Sequence, residues 1–220
     1  MDNEIQKEMQ RFENLIDEEA ARMLVLARTG DFPLVKIREL KGGAASLFAK
    51  IESFGVPNPQ LVTAVIGDET GFALVKLWHR NVSCATYLKE GDVIRIANAW
   101  VNIRENIKEV NVGKYGMVEK INHSVTTTIS FGEKPGLFNI KGVLQKKYPT
   151  SMYVDNIEHF TRKVIIDKKE INLLQERTRD VQSFNEGDDI IVLWLKKKNG
   201  RIYADECSRI LHSSQYSAVF

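Results

Sequence analysis

A tryptophan stands between cationic residues where a strand-like segment, residues 71–80, comes to its end. The alternation in GFALVKLWHR places the aliphatic residues 73, 75 and 77 on one face and Leu74, Lys76 and Trp78 on the other. If the aliphatic face fills a core, Lys76 and Trp78 point outward together, and Arg80 follows them. Such a surface suits a single-stranded nucleic acid, because bases stack on aromatic rings and cationic side chains bind phosphates. The alternative is that Trp78 plugs one end of the core.

A second tryptophan repeats this arrangement. Trp100 lies where VIRIANAW runs into VNIREN, and Arg95, Arg104 and Lys108 are near it in sequence. These residues are candidates for a stacked base and for phosphate contacts. The alternative is that Trp100 packs beneath the following loop.

A third group of candidates lies around the basic hairpin KKKNGR. Lys196, Lys198 and Arg201 are candidate phosphate contacts there, and Trp194 and Tyr203 are candidate base contacts. The cationic residues fit a solvated turn equally well.

The sequence contains none of the catalytic motifs considered below. The chain has no phosphate-binding glycine loop, no Gly-x-Ser-x-Gly and no HExxH, and its 4 histidines are scattered. Asp68 and Glu69 lie in the turn cluster GDETG, where an aspartate usually bonds its own backbone. Cys84 and Cys207 fall in no metal-ligand spacing. The sequence therefore predicts a protein that is not an enzyme and that needs no metal and no cofactor.

Composition sets few limits on the partner. The 220 residues include 31 basic and 29 acidic ones, so the net charge of +2 neither requires nor excludes nucleic acid. The start MDNEIQKEMQ lacks the apolar region of a signal peptide, and no apolar run approaches the roughly 20 residues of a membrane span. We expect a cytoplasmic, nucleoid-associated protein with no membrane contact.

The first 29 residues predict one amphipathic helix over residues 2–29. Apolar residues from Ile5 to Ala27 recur at intervals of three and four, and Gly30 to Pro33 provide a stop. The apolar stripe either docks on the next domain of the same chain or serves self-association or a partner protein. We favour docking on the same chain, with the helix away from the Trp78 face.

From residue 34 onward the pattern becomes that of strands. Three strands, a short helical segment (NVSCATYLKEG, with Asn81 as a candidate N-cap) and two more strands fit a five-stranded oligonucleotide/oligosaccharide-binding (OB) barrel. The polar stretch 121–136 predicts a linker. The pattern then repeats, because Asp167 follows Asp68 by 99 residues and Gly187 follows Gly91 by 96.

The predicted fold class is therefore mainly β, with two tandem OB-fold barrels preceded by an N-terminal α-helix. The expected boundaries are residues 1–33 for the helix, 34–120 for the first barrel, 121–136 for the linker, 137–212 for a divergent second barrel, and 213–220 for a tail.

Three segments together resemble one family. VKIRELKGG, VIGDETGFALVKLW and LKEGDVIRIANAWVN are similar to the first strands, the hairpin and the fourth strand of archaeal replication protein A, a family of single-stranded DNA-binding proteins with tandem OB folds. The resemblance covers about residues 35–120. It implies that Trp78 and, within a residue, Trp100 are the base-stacking positions. The second barrel departs from it, since DKKEINLLQE has lost the DETG turn and has no aromatic residue where Trp78 stood. Some barrels in such proteins bind subunits rather than DNA.

The leading functional hypothesis is a non-catalytic protein that binds single-stranded DNA in replication, recombination or repair. An RNA-binding protein of the same fold is the second hypothesis, because telling RNA from DNA depends on room for the 2′-hydroxyl. The third is an interaction adaptor whose grooves bind peptides, with the helix of residues 2–29 as the docking piece. The partners expected besides single-stranded DNA are a second copy of the chain or replication and repair proteins, bound through that helix or the second barrel.

Overall fold

A computed structural model describes residues 2–29, 34–56, 58–155 and 157–219 of the chain. The helices are α1 (Asp2–Arg11), α2 (Glu18–Thr29), α3 (Arg177–Asp180) and α4 (Ser213–Val219), and 3₁₀ helices span Ile37–Glu39, His79–Thr86 and Val181–Ser183. The first six strands are β1 (Gly43–Phe54), β2 (Leu61–Asp68), β3 (Gly71–Trp78), β4 (Val93–Arg104), β5 (Ile107–Val112) and β6 (Met117–Lys120). The other six are β7 (Phe138–Asp155), β8 (Ile157–Ile166), β9 (Lys169–Leu174), β10 (Asp189–Lys198), β11 (Arg201–Ala204) and β12 (Arg209–His212).

Five of the first six strands form a closed barrel. Their order is β1-β2-β3-β5-β4, and β1 also pairs with β4, so that no edge remains among these five strands. Strand β6 pairs with β4. The β3–β5 pairing is parallel and the others are antiparallel. Alternate residues of each strand fill the interior, as the period of two predicted, with Leu47, Val75 and Ile96 among the buried ones.

The second six strands repeat this topology. Five of them follow the order β7-β8-β9-β11-β10, in which β10 pairs with both β11 and β7 and the β9–β11 pairing is again parallel. Strand β12 pairs with β10. Short helical segments lie between the third and fourth strands of both barrels. The fold class predicted from the sequence, two tandem five-stranded barrels, is confirmed.

Both barrels carry a β-bulge at the same place. Asn98 in β4 and Trp194 in β10 have positive φ values of 52° and 56°, and the partner strand shifts register beside each of them. The N–H of Asn98 donates to Ser46 Oγ (3.1 Å), and that of Trp194 donates to Asn139 Oδ1 (2.9 Å). A side chain from the first strand of each barrel thus satisfies the backbone group that the bulge removes from the ladder.

A separate apolar cluster joins the barrels. Val65 and Leu74, on the outer face of β2 and β3, are buried against Ile191, Leu193 and Trp194 of β10. Ser53 Oγ donates to the carbonyl of Cys207 (2.9 Å), which adds a buried polar contact between the barrels. Part of the outer face of the first barrel is therefore covered by the second, and Leu74 does not face solvent.

The N-terminal segment forms two helices where the sequence predicted one. Glu13 and Asn14 have positive φ values of 54° and 61°, which interrupts helical backbone, and Asp17 Oδ1 caps α2 by accepting from the Ala20 N–H (2.7 Å). The prediction of one continuous helix over residues 2–29 is wrong. We call residues 2–29 the helical hairpin.

The apolar stripe is used mainly inside the helical hairpin. Ile5, Ala21 and Val25 are buried together, and Met9 and Ile16 pack against them. The reversal of the chain lets the two halves of the stripe cover each other. The predicted stop at residues 30–33 and the side chains of Met23 and Ala27 lie outside the described residues.

The predictions for Asp68 as a turn residue and for Asn81 as a helix cap have opposite outcomes. Asp68 accepts hydrogen bonds from the N–H groups of Thr70 (2.7 Å) and Gly71 (3.1 Å), as expected of a turn aspartate, and also from the Ile37 N–H (2.8 Å). Asn81 is not a helix cap, because it is buried and its Nδ2 donates to the Gly113 (2.9 Å) and Gly116 (3.3 Å) carbonyls.

Candidate nucleic-acid interface

Strand β3 presents Trp78 on the outer face of the first barrel. Leu77 points into the core, and Trp78, the next residue, is half-buried on the opposite side. Its indole N–H donates to Asn111 Oδ1 over 3.4 Å. The ring is therefore oriented from the neighbouring strand β5, and it does not plug the barrel.

Strand β4 presents Trp100 on the same face. Ala99 and Val101 lie in the core, and Trp100 is 59% exposed. Asn111 is its partner across β5, and Asn111 Nδ2 donates to the Trp100 carbonyl (3.2 Å). Trp100 does not pack beneath a loop, and its ring is open to a stacked base.

Asn111 links the Trp78 indole to the Trp100 backbone, and we call Trp78, Asn111 and Trp100 the stacking surface. Since neighbouring strands lie about 4.8 Å apart, the two tryptophans on either side of β5 are on the order of 10 Å from each other. Two separate bases of one strand could each meet one ring. Asn111 was not among the sequence candidates. The sequence did indicate that Asn111 faces outward, because it alternates with Val110 and Val112 along its strand. That strand lies between those of the two tryptophans.

Four of the five cations predicted around the first barrel divide into two groups. Lys76 is held by Glu109 (2.8 Å), and Arg95 lies 3.8 Å from Glu119. Arg80 and Arg104 have exposed side chains. Ion pairing reduces what the first group can offer to a phosphate, so Arg80 and Arg104 are the stronger candidates.

Lys108 has a different use from the predicted one. Its Nζ donates to the carbonyls of Ile37 (2.6 Å) and Arg38 (2.5 Å), where it ties a 3₁₀ helix to the end of the barrel. Burial lowers the pKa of Lys108, although the carboxylate of Asp68 opposes this change. The assignment of Lys108 as a phosphate contact is corrected to a structural role.

A groove between the barrels brings together five of the predicted residues. We call it the inter-barrel groove; its volume is about 670 Å³. The predicted residues that line it are Lys76, Arg104, Lys196, Lys198 and Tyr203. Leu61, the cross-strand partner of Trp78, also lines it, so the groove begins beside the stacking surface.

The charge of the inter-barrel groove is nearly balanced. Glu105, Glu109, Asp205 and Glu206 line it together with the cations. Asp205 is paired with Lys196, and although burial lowers the pKa of that lysine, Asp205 and its acidic neighbours raise it above its ordinary value. Arg104 and Lys198 are the cations left exposed there, and a phosphate chain passing through this groove meets few free charges.

The assignment of Trp194 to nucleic acid is wrong. Its side chain is 1% exposed in the apolar cluster between the barrels, and its indole N–H meets no acceptor among the described residues. A ring in this position cannot stack on a base. Arg201 is exposed beside the turn that pairs it with Lys198, and Tyr203 is half-buried in the groove.

An arm of the second barrel reaches the inter-barrel groove. Strands β7 and β8 extend well beyond the barrel, and residues 149–155 of this hairpin are exposed. Tyr153 lines the groove, is 55% exposed and stacks on His159 with ring centroids 4.7 Å apart. Tyr153 is among the aromatic residues that the second barrel offers, but the sequence did not indicate that the hairpin is long enough to bring it to the first barrel.

The described residues contain no group of three or more His, Cys, Asp and Glu side chains placed to hold a metal ion. None of their helices is long and apolar enough to cross a membrane. Cys84 and Cys207 are buried free thiols, and burial raises the pKa of Cys207 to about 12.

Comparison with known proteins identifies no sequence family. No family model matches the chain, and no curated protein matches it significantly. Among solved structures, a replication protein A heterotrimer bound to single-stranded DNA aligns at 15% identity with a TM-score of 0.49, over 84% of this chain. This chain spans about half (53%) of that protein's chain.

Two other solved structures are similar over different lengths. The replication factor A related protein from Methanobacterium thermoautotrophicum aligns at 22% identity with a TM-score of 0.38, over 41% of this chain and 92% of its own. A murine DNA-binding protein bound to double-stranded DNA aligns at 15% identity with a TM-score of 0.44, over 76% of this chain and 96% of its own. At these identities and scores, a function has to be argued from the geometry of this chain.

Proposed function

We propose that this protein binds single-stranded DNA without catalysis and acts in replication, recombination or repair, in the manner of replication protein A. The observation that carries the proposal is the stacking surface, on which Trp78 and Trp100 face outward on either side of Asn111. An indole that is 59% exposed on a barrel face gains little from folding, whereas it gains much from a stacked base.

The charges around the stacking surface support the same ligand. Arg80 follows Trp78 in the chain, and Arg104 follows Trp100 on the same strand. Because Lys76 and Lys196 are ion-paired and Lys108 is structural, stacking contributes more to affinity than phosphate contacts do. Sequence preference should be slight, since every base offers a face to a ring.

The test is a titration of a fluorescently labelled oligodeoxynucleotide of about 15 residues, within the site sizes of OB folds. Trp100→Ala should weaken binding by about 1–3 kcal/mol, or roughly 5- to 150-fold. Trp100→Phe, the matched control, keeps a ring and should retain most of the affinity. Both variants should melt like the wild type, because the side chain is largely exposed.

Competition with RNA of the same sequence decides the nature of the ligand. DNA should displace the labelled probe at lower concentration than RNA does. A preference for RNA would replace the DNA assignment, and wild-type protein that binds neither would leave the adaptor hypothesis. Equal affinity of Trp100→Ala and the wild type would remove the stacking surface from the site.

A further inference from the structure

A second groove runs between the helical hairpin and the first barrel. We call it the hairpin groove; its volume is about 650 Å³. Arg11 and Phe12 line it from the hairpin side, and Arg80, Lys114 and Tyr115 line it from the barrel side. The sequence predicted that the N-terminal helix lies away from the Trp78 face, whereas Arg80, two residues after Trp78, lines this groove together with residues of the helical hairpin.

The barrel side of this groove adjoins the stacking surface for a topological reason. Strands β3 and β5 are parallel, with Leu77 opposite Val112, so the segments that follow them emerge at the same end of the barrel. Arg80 follows β3, and Lys114 and Tyr115 follow β5. The groove therefore continues from Trp78 and Asn111 at that end.

The turn that presents Lys114 and Tyr115 is fixed on both sides. Asn81 Nδ2 donates to the carbonyls of Gly113 and Gly116, which flank the turn, and Asn98 Nδ2 donates to the Tyr115 carbonyl (3.2 Å). A Cβ on Gly116 would lie 2.7 Å from Val112 Cγ1 and 2.9 Å from the Asn98 carbonyl oxygen, so the turn packs closely on the barrel. Although the backbone is fixed, the ring of Tyr115 is 59% exposed.

The charge of the hairpin groove is clearly positive, unlike that of the inter-barrel groove. Arg11, Arg80 and Lys114 line it, and Glu8 is its one acidic lining residue among those the structure describes. Glu8 is buried and lies 3.4 Å from Arg11, so it offsets part of the charge of that guanidinium, whose side chain stays 69% exposed at the groove. Three cations beside an exposed ring that Lys114 approaches at 5.6 Å form the combination that binds a nucleotide's phosphate and base.

We infer that the hairpin groove is a second subsite for the same single strand, binding the nucleotides that extend past Trp78. Arg11, Arg80 and Lys114 contact phosphates, and Tyr115 stacks on a base. The helical hairpin is then one wall of the nucleic-acid site. This inference rests on the proposed function and adds that the bound DNA runs from Trp78 toward the helical hairpin.

The test uses the full chain and two substitutions outside the stacking surface. Arg11→Gln and Lys114→Gln should each weaken binding of an oligonucleotide of about 15 residues by about three- to tenfold, and should each reduce the salt slope by roughly 0.7. Arg22→Gln is the matched control, because Arg22 lies on α2, pairs with Glu18 (3.7 Å) and does not line the groove. It should change neither quantity.

Oligonucleotide length separates this subsite from the stacking surface. With about 4 residues, enough for the smallest OB sites, the strand ends before the hairpin groove, and both variants should bind like the wild type. Arg11→Gln removes the Glu8–Arg11 pair and can lower the melting temperature for that reason alone. Lys114→Gln leaves the pair in place, so in that case its affinity and salt slope provide the test of the subsite. Wild-type affinity and salt slope in both variants on the long strand, with weaker binding by Trp100→Ala, would overturn this inference alone. Wild type that binds no nucleic acid would overturn the proposed function too.

Discussion

The two barrels share one topology and place different side chains on the same outer face. In the first barrel this face holds the stacking surface. In the second barrel, the strand register gives three other residues the equivalent positions. Tyr203 is equivalent to Asn111, Lys196 to Trp100 and Leu174 to Trp78. All three line the inter-barrel groove, and Lys196 is neutralised by Asp205. One copy thus has a face suited to bases, and the other has a face turned toward its neighbour.

The bulge residues of the two barrels also have different side-chain roles, although their backbone conformation is the same. Asn98 and Trp194 have the same unusual φ and the same kind of side-chain acceptor for their N–H groups. Asn98 holds a surface turn, whereas Trp194 is the largest fully buried side chain and packs between the barrels. The lesson is that aromatic residues in repeated barrels have to be assigned by what covers them, because the backbone positions alone do not distinguish their uses.

The largest contrast should come from truncating one tryptophan in each barrel. Trp194→Ala should lower the free energy of unfolding by about 3–5 kcal/mol, because it leaves a cavity between the barrels. Trp100→Ala should change it by less than about 0.5 kcal/mol. Urea unfolding measures both. Trp194→Phe is the control and should cost less than about 1.5 kcal/mol, since the indole N–H has no acceptor to lose. Similar unfolding midpoints for the two alanine variants would contradict the contrast.

A smaller effect should separate Lys108 from the phosphate-contact candidates with which the sequence grouped it. Lys108→Met should lower the free energy of unfolding by about 1–3 kcal/mol, because the Ile37 and Arg38 carbonyls lose a charged donor, and should leave DNA affinity unchanged. Lys168→Met, at an exposed turn, is the matched control for stability. Loss of DNA affinity without loss of stability would restore Lys108 to the binding site.

The smallest effect concerns the exposed cations of the inter-barrel groove. Arg104→Gln should reduce the slope of log affinity against log salt by roughly 0.7, the amount expected for one phosphate contact with a single strand. Lys168→Gln, which lines neither groove, should leave the slope unchanged. Titrations at several salt concentrations measure both slopes. An unchanged slope for Arg104→Gln would show that the strand leaves the stacking surface without entering the inter-barrel groove.

The sequence predicted the barrels because their signals are local. Alternation with a period of two marks each strand, and turns such as GDETG mark their ends, so five strands in this order leave few ways to close. The outward direction of Trp78 and Trp100 followed from the same alternation. Lys108 could have been recognised too, since it shares the parity of the core residues Val110 and Val112.

Contacts between distant segments could not be predicted in this way. An outward-facing residue such as Leu74 has the same pattern whether it meets water or another barrel, and only the packing of Ile191 and Trp194 against it decides. The break in the N-terminal helix left faint local signals in Asn14 and Asp17, which favour a left-handed residue and an N-cap. The apolar stripe continued across both residues and concealed the reversal.

The apolar cluster between the barrels has a thermodynamic consequence. Because Val65 and Leu74 share one buried cluster with Ile191 and Trp194, neither barrel can unfold without exposing apolar surface on the other. The two repeats then behave as one cooperative unit. A ligand that contacts only the first barrel raises the melting temperature of the second as well, by mass action on their common folded state.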